Sequence, residues 1–198
     1  MNLPNQLTLL RVLMIPLFIL ALMALPYPMG PLVGAAVYAL ASITDALDGH
    51  LARKNNQITD FGKFLDPLAD KMLVISALVM LQHMGLIHPI FTVIIIAREL
   101  MVTSIRLIAA SSEGKVIAAG WWGKAKTVTQ MIATILLMVE PILLGEAEFK
   151  WNIPLLCGAS PETTAFFGTI LLYAAVALTI ISGVDYLVKN WKYVDYRK

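Results

Sequence analysis

The sequence predicts an all-α membrane protein with six transmembrane helices, on three observations: composition, the spacing of apolar runs and the placement of basic residues. Of 198 residues, 59% are hydrophobic and only 14% charged, which is too apolar for a soluble domain of this length. Six apolar runs approach the roughly 20 residues that a helix needs to cross a bilayer. They cover Leu7–Leu25, Leu32–Ala52, Pro67–Met84, Pro89–Ala109, Thr127–Leu144 and Thr164–Val188. No internal repeat or low-complexity linker separates them, so residues 1–198 are expected to form one domain. The single cysteine, Cys157, excludes an intrachain disulfide framework and any multi-cysteine metal site.

The first run contains only Arg11 as a charge and has the look of a signal peptide. It is long, however, and Leu25-Pro26 offers no small-residue cleavage site, so a retained helix is expected. Pro26, Pro28, Gly30 and Pro31 form a tight uncharged turn into the second run, and Gly85 to Pro89 form another between the third and fourth. Pro67 suits the first turn of the third helix, where its missing amide hydrogen would be unpaired anyway. In the sixth run, Gly168, Ala174, Ala175, Ala177, Ser182 and Gly183 allow close helix packing, within the fold or across a dimer.

An even number of spans places both termini on one side, together with the segments 53–66 and 111–126. Of fifteen Lys and Arg, only Lys150 falls clearly on the other side, so the positive-inside rule puts the termini at the cytoplasmic face of the cell membrane. Trp191, Tyr193 and Tyr196 among Lys189, Lys192, Arg197 and Lys198 read either as an interfacial tail against anionic lipid or as a solvated tail. No nucleic-acid partner is expected.

Five of the thirteen acidic residues lie between Asp45 and Asp70. Carboxylates are costly in a bilayer, and a cluster beside apolar runs marks a functional site. Asp45 and Asp48, at i and i+3, end the second helix; Asp66 and Asp70, at i and i+4, begin the third, so each pair shares one helical face. Gly49 and Gly62 let backbone or ligand approach closely. Four carboxylates together repel unless protonated or bridged by cations. Oxygen ligands favour hard divalent ions, Mg2+ or Mn2+, and four can bridge two ions about 4 Å apart, an arrangement suited to phosphoryl chemistry. Reading these acids as solvated helix caps suits Asp60 and could explain Asp66 alone, but does not explain the four together.

The pattern Asp45-x2-Asp48-Gly49-x2-Ala52-Arg53-x8-Gly62-x3-Asp66-x3-Asp70 resembles, without departure, the signature of the CDP-alcohol phosphatidyltransferase family, and the six-helix layout agrees with it. The resemblance implies transfer of a phosphatidyl or similar group from a CDP-linked donor to an alcohol, with release of CMP. It further implies that Asp45, Asp48 and Asp66 are metal ligands, and that Asp70 lies near the second ion and is the general base. Asp48, Gly49, Ala52, Arg53 and Gly62 would accommodate the CDP-diacylglycerol donor, Arg53 pairing with phosphate. A homodimer in membrane lipid is also implied.

The segments Leu3–Arg11, Arg98-Glu99-Leu100 with Arg106, and Trp121–Thr127 resemble the branch of that family whose acceptor is sn-glycerol 3-phosphate. Arg11, Arg106, Lys124 and Lys126 are the candidates for binding the acceptor phosphate, with Thr8 as a hydroxyl contact. The alternative is that they are positive-inside anchors, expected of at least one of the four. Arg106 is the strongest, because a cation within an apolar run needs a partner or a water-filled cavity. Arg98 and Glu99, as adjacent residues, are expected to face separate groups and to hold helices together rather than to act catalytically. Lys71 reads as a neighbour that tunes Asp70 or binds phosphate, or equally as a snorkelling interfacial lysine.

His50 reads as a surface histidine, His83 and His88 lie at the opposite face, and Glu140 is placed near the far interface. Asp185 is expected to pair with a nearby base. The competing acceptors are inositol phosphate, serine and phosphatidylglycerol; a neutral one would leave the basic residues without a purpose. An intramembrane prenyltransferase would space its acids differently, and an ion transporter would place them near the midplane with broken helices.

Overall fold

The computed structural model describes residues 3–55, 60–113, 120–145 and 166–191; side chains at 3–8, 45–55, 60–68, 70 and 110–113 fall outside the description. Among the described residues every regular element is helical: α1 (Leu3–Ala24), α2 (Met29–Asn55), α3 (Asp60–His83), α4 (Pro89–Glu113), α5 (Trp121–Leu143) and α6 (Phe166–Lys189). Each predicted apolar run has its helix. The differences fall at one end of the molecule. There α3 begins at Asp60 rather than Pro67 and α5 at Trp121 rather than Thr127, while α2 and α4 continue to Asn55 and Glu113. An apolar run measures the thickness of oil, whereas helical hydrogen bonding continues into polar sequence beyond it.

The turn between α3 and α4 closes with a Schellman motif. The Leu86 N–H donates to Leu81 O (2.9 Å) and the Gly85 N–H to Gln82 O (3.0 Å), with Gly85 at φ +74°, a conformation that a Cβ would strain. At the start of α4 the Ile90 N–H donates to His88 Nδ1 at 3.2 Å, so His88 serves this turn. The α1–α2 turn contains a cis Tyr27-Pro28 bond.

Each helix buries one stripe. In α1 it is Arg11, Ile15, Phe18 and Ala21; in α2 Ala35, Tyr38, Ala41 and Ser42; in α3 Ala69, Leu73, Ala77 and Leu81. These recur at the three- and four-residue spacing of a helical face. The α1 and α2 stripes meet through Phe18 and Tyr38, whose ring centroids are 6.0 Å apart. The outward faces are apolar as well: α1 exposes Leu9, Leu13, Leu17, Leu20 and Met23, while Ser42, Thr92, Thr134 and Thr179 are buried. Helices that are apolar outside and carry small polar groups inside suit a lipid surround. Both α5 and α6 are long and apolar enough to cross a membrane, and the chain is membrane-associated.

The α5–α6 pair packs most extensively. A Cβ on Gly168 would lie 2.9 Å from the Leu137 backbone nitrogen, so the glycine sets how closely the two backbones approach. Glu140, buried near the end of α5, accepts the Phe167 N–H at 2.9 Å and the Gly168 N–H at 2.8 Å. A carboxylate on α5 thus caps the first turn of α6, where unpaired amides and the helix dipole favour an anion. Glu140, expected from sequence only to lie near an interface, therefore has a structural task in joining α5 to α6.

Candidate active site

The four aspartates lie on two helical backbones at the same end of the bundle. Asp45 and Asp48 were expected to end α2, and Asp66 and Asp70 to begin α3 with Pro67 in its first turn. Instead α2 runs on to Asn55 and α3 starts at Asp60, so all five lie inside their helices, because helical hydrogen bonding extends into the polar sequence beyond each apolar run. Positions 45 and 48 continue, at helical spacing, the register of Tyr38, Ala41 and Ser42; positions 66 and 70 precede Leu73 and Ala77 in the same way. The backbone therefore carries the buried stripes of α2 and α3 onto these four positions. The aspartate side chains, and those of Gly49, Ala52, Arg53, Gly62 and Thr8, lie outside the described residues. Carboxylates are hard oxygen donors of the kind that suit divalent cations. Among the described residues no group of three or more His, Cys, Asp and Glu offers a rival metal site.

The basic candidates separate into three environments. Arg11 is 1% exposed and shares the inward stripe of α1, so it belongs to the interior. Lys124 is exposed in the first turn of α5. Lys126 leads the buried stripe of α5 that continues through Gln130, Ala133 and Leu137.

Lys126 meets Glu99, a partner its sequence position does not suggest. Its Nζ donates to Glu99 Oε1 at 2.7 Å, with the lysine side chain 3% exposed and the glutamate 16%. Arg98 Nη1 donates to the same oxygen at 2.9 Å, and Lys71 Nζ to Glu99 Oε2 at 3.2 Å. One carboxylate thus gathers cations from α3, α4 and α5. Arg98 and Glu99 do hold helices together as expected, but they meet each other rather than facing separate groups. An arginine side chain is long enough to curl back to its neighbour. Lys71, whose alternatives were left open by sequence, is engaged here. Buried and unpaired charge is costly, and among these four groups three cations face one anion, leaving an excess of +2.

Arg98 also lines a cavity of about 190 Å³ between α4, the start of α5 and the end of α6, with Arg106, Trp122, Ser182 and Tyr186 around it. The Arg106 guanidinium lies 5.6 Å from the Tyr186 ring centroid, a cation–π contact that holds it in place. Arg106 Nε, Arg98 Nε and Tyr186 Oη are buried without hydrogen-bond partners among the described residues. Such groups are commonly satisfied by ligand or water. At the rim, Asp185 accepts from Lys189 at 2.9 Å, the pairing expected of it. Gly183 leaves room for Arg98: a Cβ there would lie 3.1 Å from its Cγ. Tyr186 and Ser182 were not legible as site residues, because only the α4–α6 contact brings them beside Arg106, whereas Arg98 shares α4 with Arg106 at a helical spacing of eight residues.

The fold and site define a helical, membrane-associated protein with four aspartates on the backbones of α2 and α3 and a basic cavity lined by α4, α5 and α6. The family model for CDP-alcohol phosphatidyltransferase matches residues 1–181, and the chain belongs to that family. It is thus an enzyme of the CDP-dependent phosphatidyltransferase class, and the family depends on divalent metal. The chain is 39% identical to the CDP-diacylglycerol–glycerol-3-phosphate 3-phosphatidyltransferase of Bacillus subtilis, with 96% of each chain covered. Proteins of the same name in Haemophilus influenzae (40% identical, covering 94% of this chain and 91% of that one) and Pseudomonas fluorescens (43%, covering 100% and 95%) are similar to it.

Proposed function

We propose that this protein transfers the phosphatidyl group of CDP-diacylglycerol to sn-glycerol 3-phosphate, giving phosphatidylglycerophosphate and CMP. The names of its relatives support that reaction. The observation that carries the acceptor assignment is the cavity holding Arg98 and Arg106, whose Nε–H groups have no partner among the described residues and suit a phosphate. In this reading Lys126, Lys124 and Arg11, which do not line the cavity itself, add positive charge, and Thr8 adds a hydroxyl contact. A neutral acceptor such as serine would leave these cations unmatched. The same residues argue against a non-enzymatic ion transporter, whose acids would lie at the midplane.

In this mechanism Asp45, Asp48, Asp66 and Asp70 would hold two divalent ions, Mg2+ or Mn2+. When bound, such ions neutralise the pyrophosphate and stabilise the leaving nucleotide. Gly49, Ala52 and Gly62 give the CDP portion room, and Arg53 pairs with its phosphate. Asp70 accepts the proton of a glycerol hydroxyl. The freed oxygen attacks the phosphorus that bears diacylglycerol; a new P–O bond forms, the bond to the CMP phosphate oxygen breaks, and CMP leaves. The chain acts as one domain of six transmembrane helices, in a homodimer, with the site and termini at the cytoplasmic boundary. There the acyl chains remain in lipid while both polar substrates reach the site from water.

The test is CMP release by the purified protein in detergent, scored separately with glycerol 3-phosphate, inositol phosphate, inositol, serine and phosphatidylglycerol. Release with glycerol 3-phosphate alone is expected, and release with another acceptor overturns the assignment. Asp70→Asn should abolish turnover while CDP-diacylglycerol binding persists; retained turnover removes Asp70 from the base role.

A further inference from the structure

The structure assigns Glu99 as a positioning residue for the acceptor phosphate: it sets Lys126 and Arg98 for the substrate and ties them to the helix that carries Asp70. This inference rests on the acceptor reading above. Its carboxylate has both oxygens engaged, Oε1 by Arg98 and Lys126 and Oε2 by Lys71. These donors come from three helices, and Lys71 and Lys126 are 28 and 27 residues away along the chain.

Three features separate this arrangement from a plain structural ion-pair network. First, among the described residues the group holds three cations to one carboxylate, an excess of +2 that a doubly charged phosphate would balance. A purely structural network would be expected to pair its charges. Second, lysine has three donors, and among the described residues Glu99 takes just one from Lys126. Third, Arg98 belongs to two places at once. Its Nη1 is fixed on Glu99, while the residue lines the cavity that holds Arg106 and its Nε is buried without a partner among the described residues. Anchoring one end of the guanidinium pre-orients the rest toward the cavity, so less side-chain freedom is lost when phosphate binds. Through Lys71 the same carboxylate fixes the turn of α3 next to Asp70, which links the hold on the acceptor phosphate to the expected base.

The experiment compares steady-state constants for both substrates in Glu99→Gln, Glu99→Asp and the wild type, in detergent, with folded fraction measured for each. Glutamine keeps one acceptor oxygen but places an NH2 donor against a cationic donor, so one leg of the contact breaks. Glu99→Gln should raise KM for glycerol 3-phosphate about tenfold or more, with KM for CDP-diacylglycerol within about twofold, and Glu99→Asp should restore part of the loss. An activity loss that only tracks folded fraction, or an equal rise in both KM values, overturns the inference. If Glu99→Gln does not fold, the Glu99→Gln/Lys126→Met double variant removes a charge from each side. Compared with Lys126→Met alone, it should add little further rise in the acceptor KM, because Glu99 acts partly through Lys126; full additivity overturns the inference. Arg106→Ala, measured in parallel, separates the two proposals. An unchanged acceptor KM there defeats the acceptor reading itself, whereas a raised one beside an unchanged Glu99→Gln defeats only the role given to Glu99.

Discussion

Glu140 offers the most direct test of how α5 and α6 are joined. Its two carboxylate oxygens accept the Phe167 and Gly168 N–H groups at 2.9 and 2.8 Å in a buried setting. Glu140→Ala leaves both amides without that acceptor at the first turn of α6. A hydrogen bond to a charged group contributes about 1.5–3 kcal/mol, and since both bonds share one carboxylate the loss is taken as about 3 kcal/mol rather than twice the upper value. For a chain of this size each kcal/mol lowers Tm by about 2–4 °C, which gives a fall of about 6–12 °C. Glu140→Gln keeps a single acceptor oxygen and turns its NH2 toward the second amide, so it should recover no more than half of that loss. The assay is tryptophan-fluorescence melting of purified protein in one detergent. Activity per folded molecule should be unchanged, because Glu140 lies at the end of the bundle away from the aspartates. A Tm unmoved in both variants would refute the cap, and activity lost without a change in Tm would refute the separation of the two ends.

Arg106→Ala should raise KM for glycerol 3-phosphate by about 10- to 150-fold, the equivalent of one charge-assisted hydrogen bond worth about 1.5–3 kcal/mol, with little change for CDP-diacylglycerol. Steady-state titration of each substrate checks it, and equal effects contradict the assignment. Gly168→Ala should destabilise the protein by about 1–3 kcal/mol in the same melting assay, because the added Cβ meets the Leu137 backbone at 2.9 Å and backbone yields less readily than a side-chain tip. Chelation by EDTA should stop CMP release, and added Mg2+ or Mn2+ should restore it; turnover under thorough chelation defeats the role given to the aspartates.

The six helices were legible because each carries a long apolar run, and the acidic pattern because its spacing of three and four residues is a local property. The polar end of α3 was not. Residues 60–66 carry Asp60, Lys63 and Asp66 and no sustained apolar signal, yet the backbone is already helical there. The partners of Glu99 and Glu140 were hidden for a different reason. Lys71 and Lys126 lie nearly thirty residues to either side of Glu99, and the groups that meet Glu140 are backbone amides, which no residue letter advertises. Arg106 could be singled out as a cation within an apolar run, but the Tyr186 ring beneath it could not.

The charges are divided by helix in a way that suits a two-substrate reaction. The acids belong to α2 and α3, while Arg98, Arg106, Lys124 and Lys126 belong to α4 and α5. A donor held through metal and an acceptor held by guanidinium and ammonium groups make opposite electrostatic demands, and one surface serving both would neutralise itself. Placing them on separate helices keeps each field intact but creates a problem of alignment, since in-line displacement tolerates little misplacement. Lys71, a cation on the acid-bearing α3, reaches across with its Nζ to Glu99 on α4. Glu99 is likewise an anion among the cations. This exchanged pair ties the two halves together at the level of Asp70. It joins them through one part-buried contact, so the acid and basic groups stay apart while their spacing stays fixed.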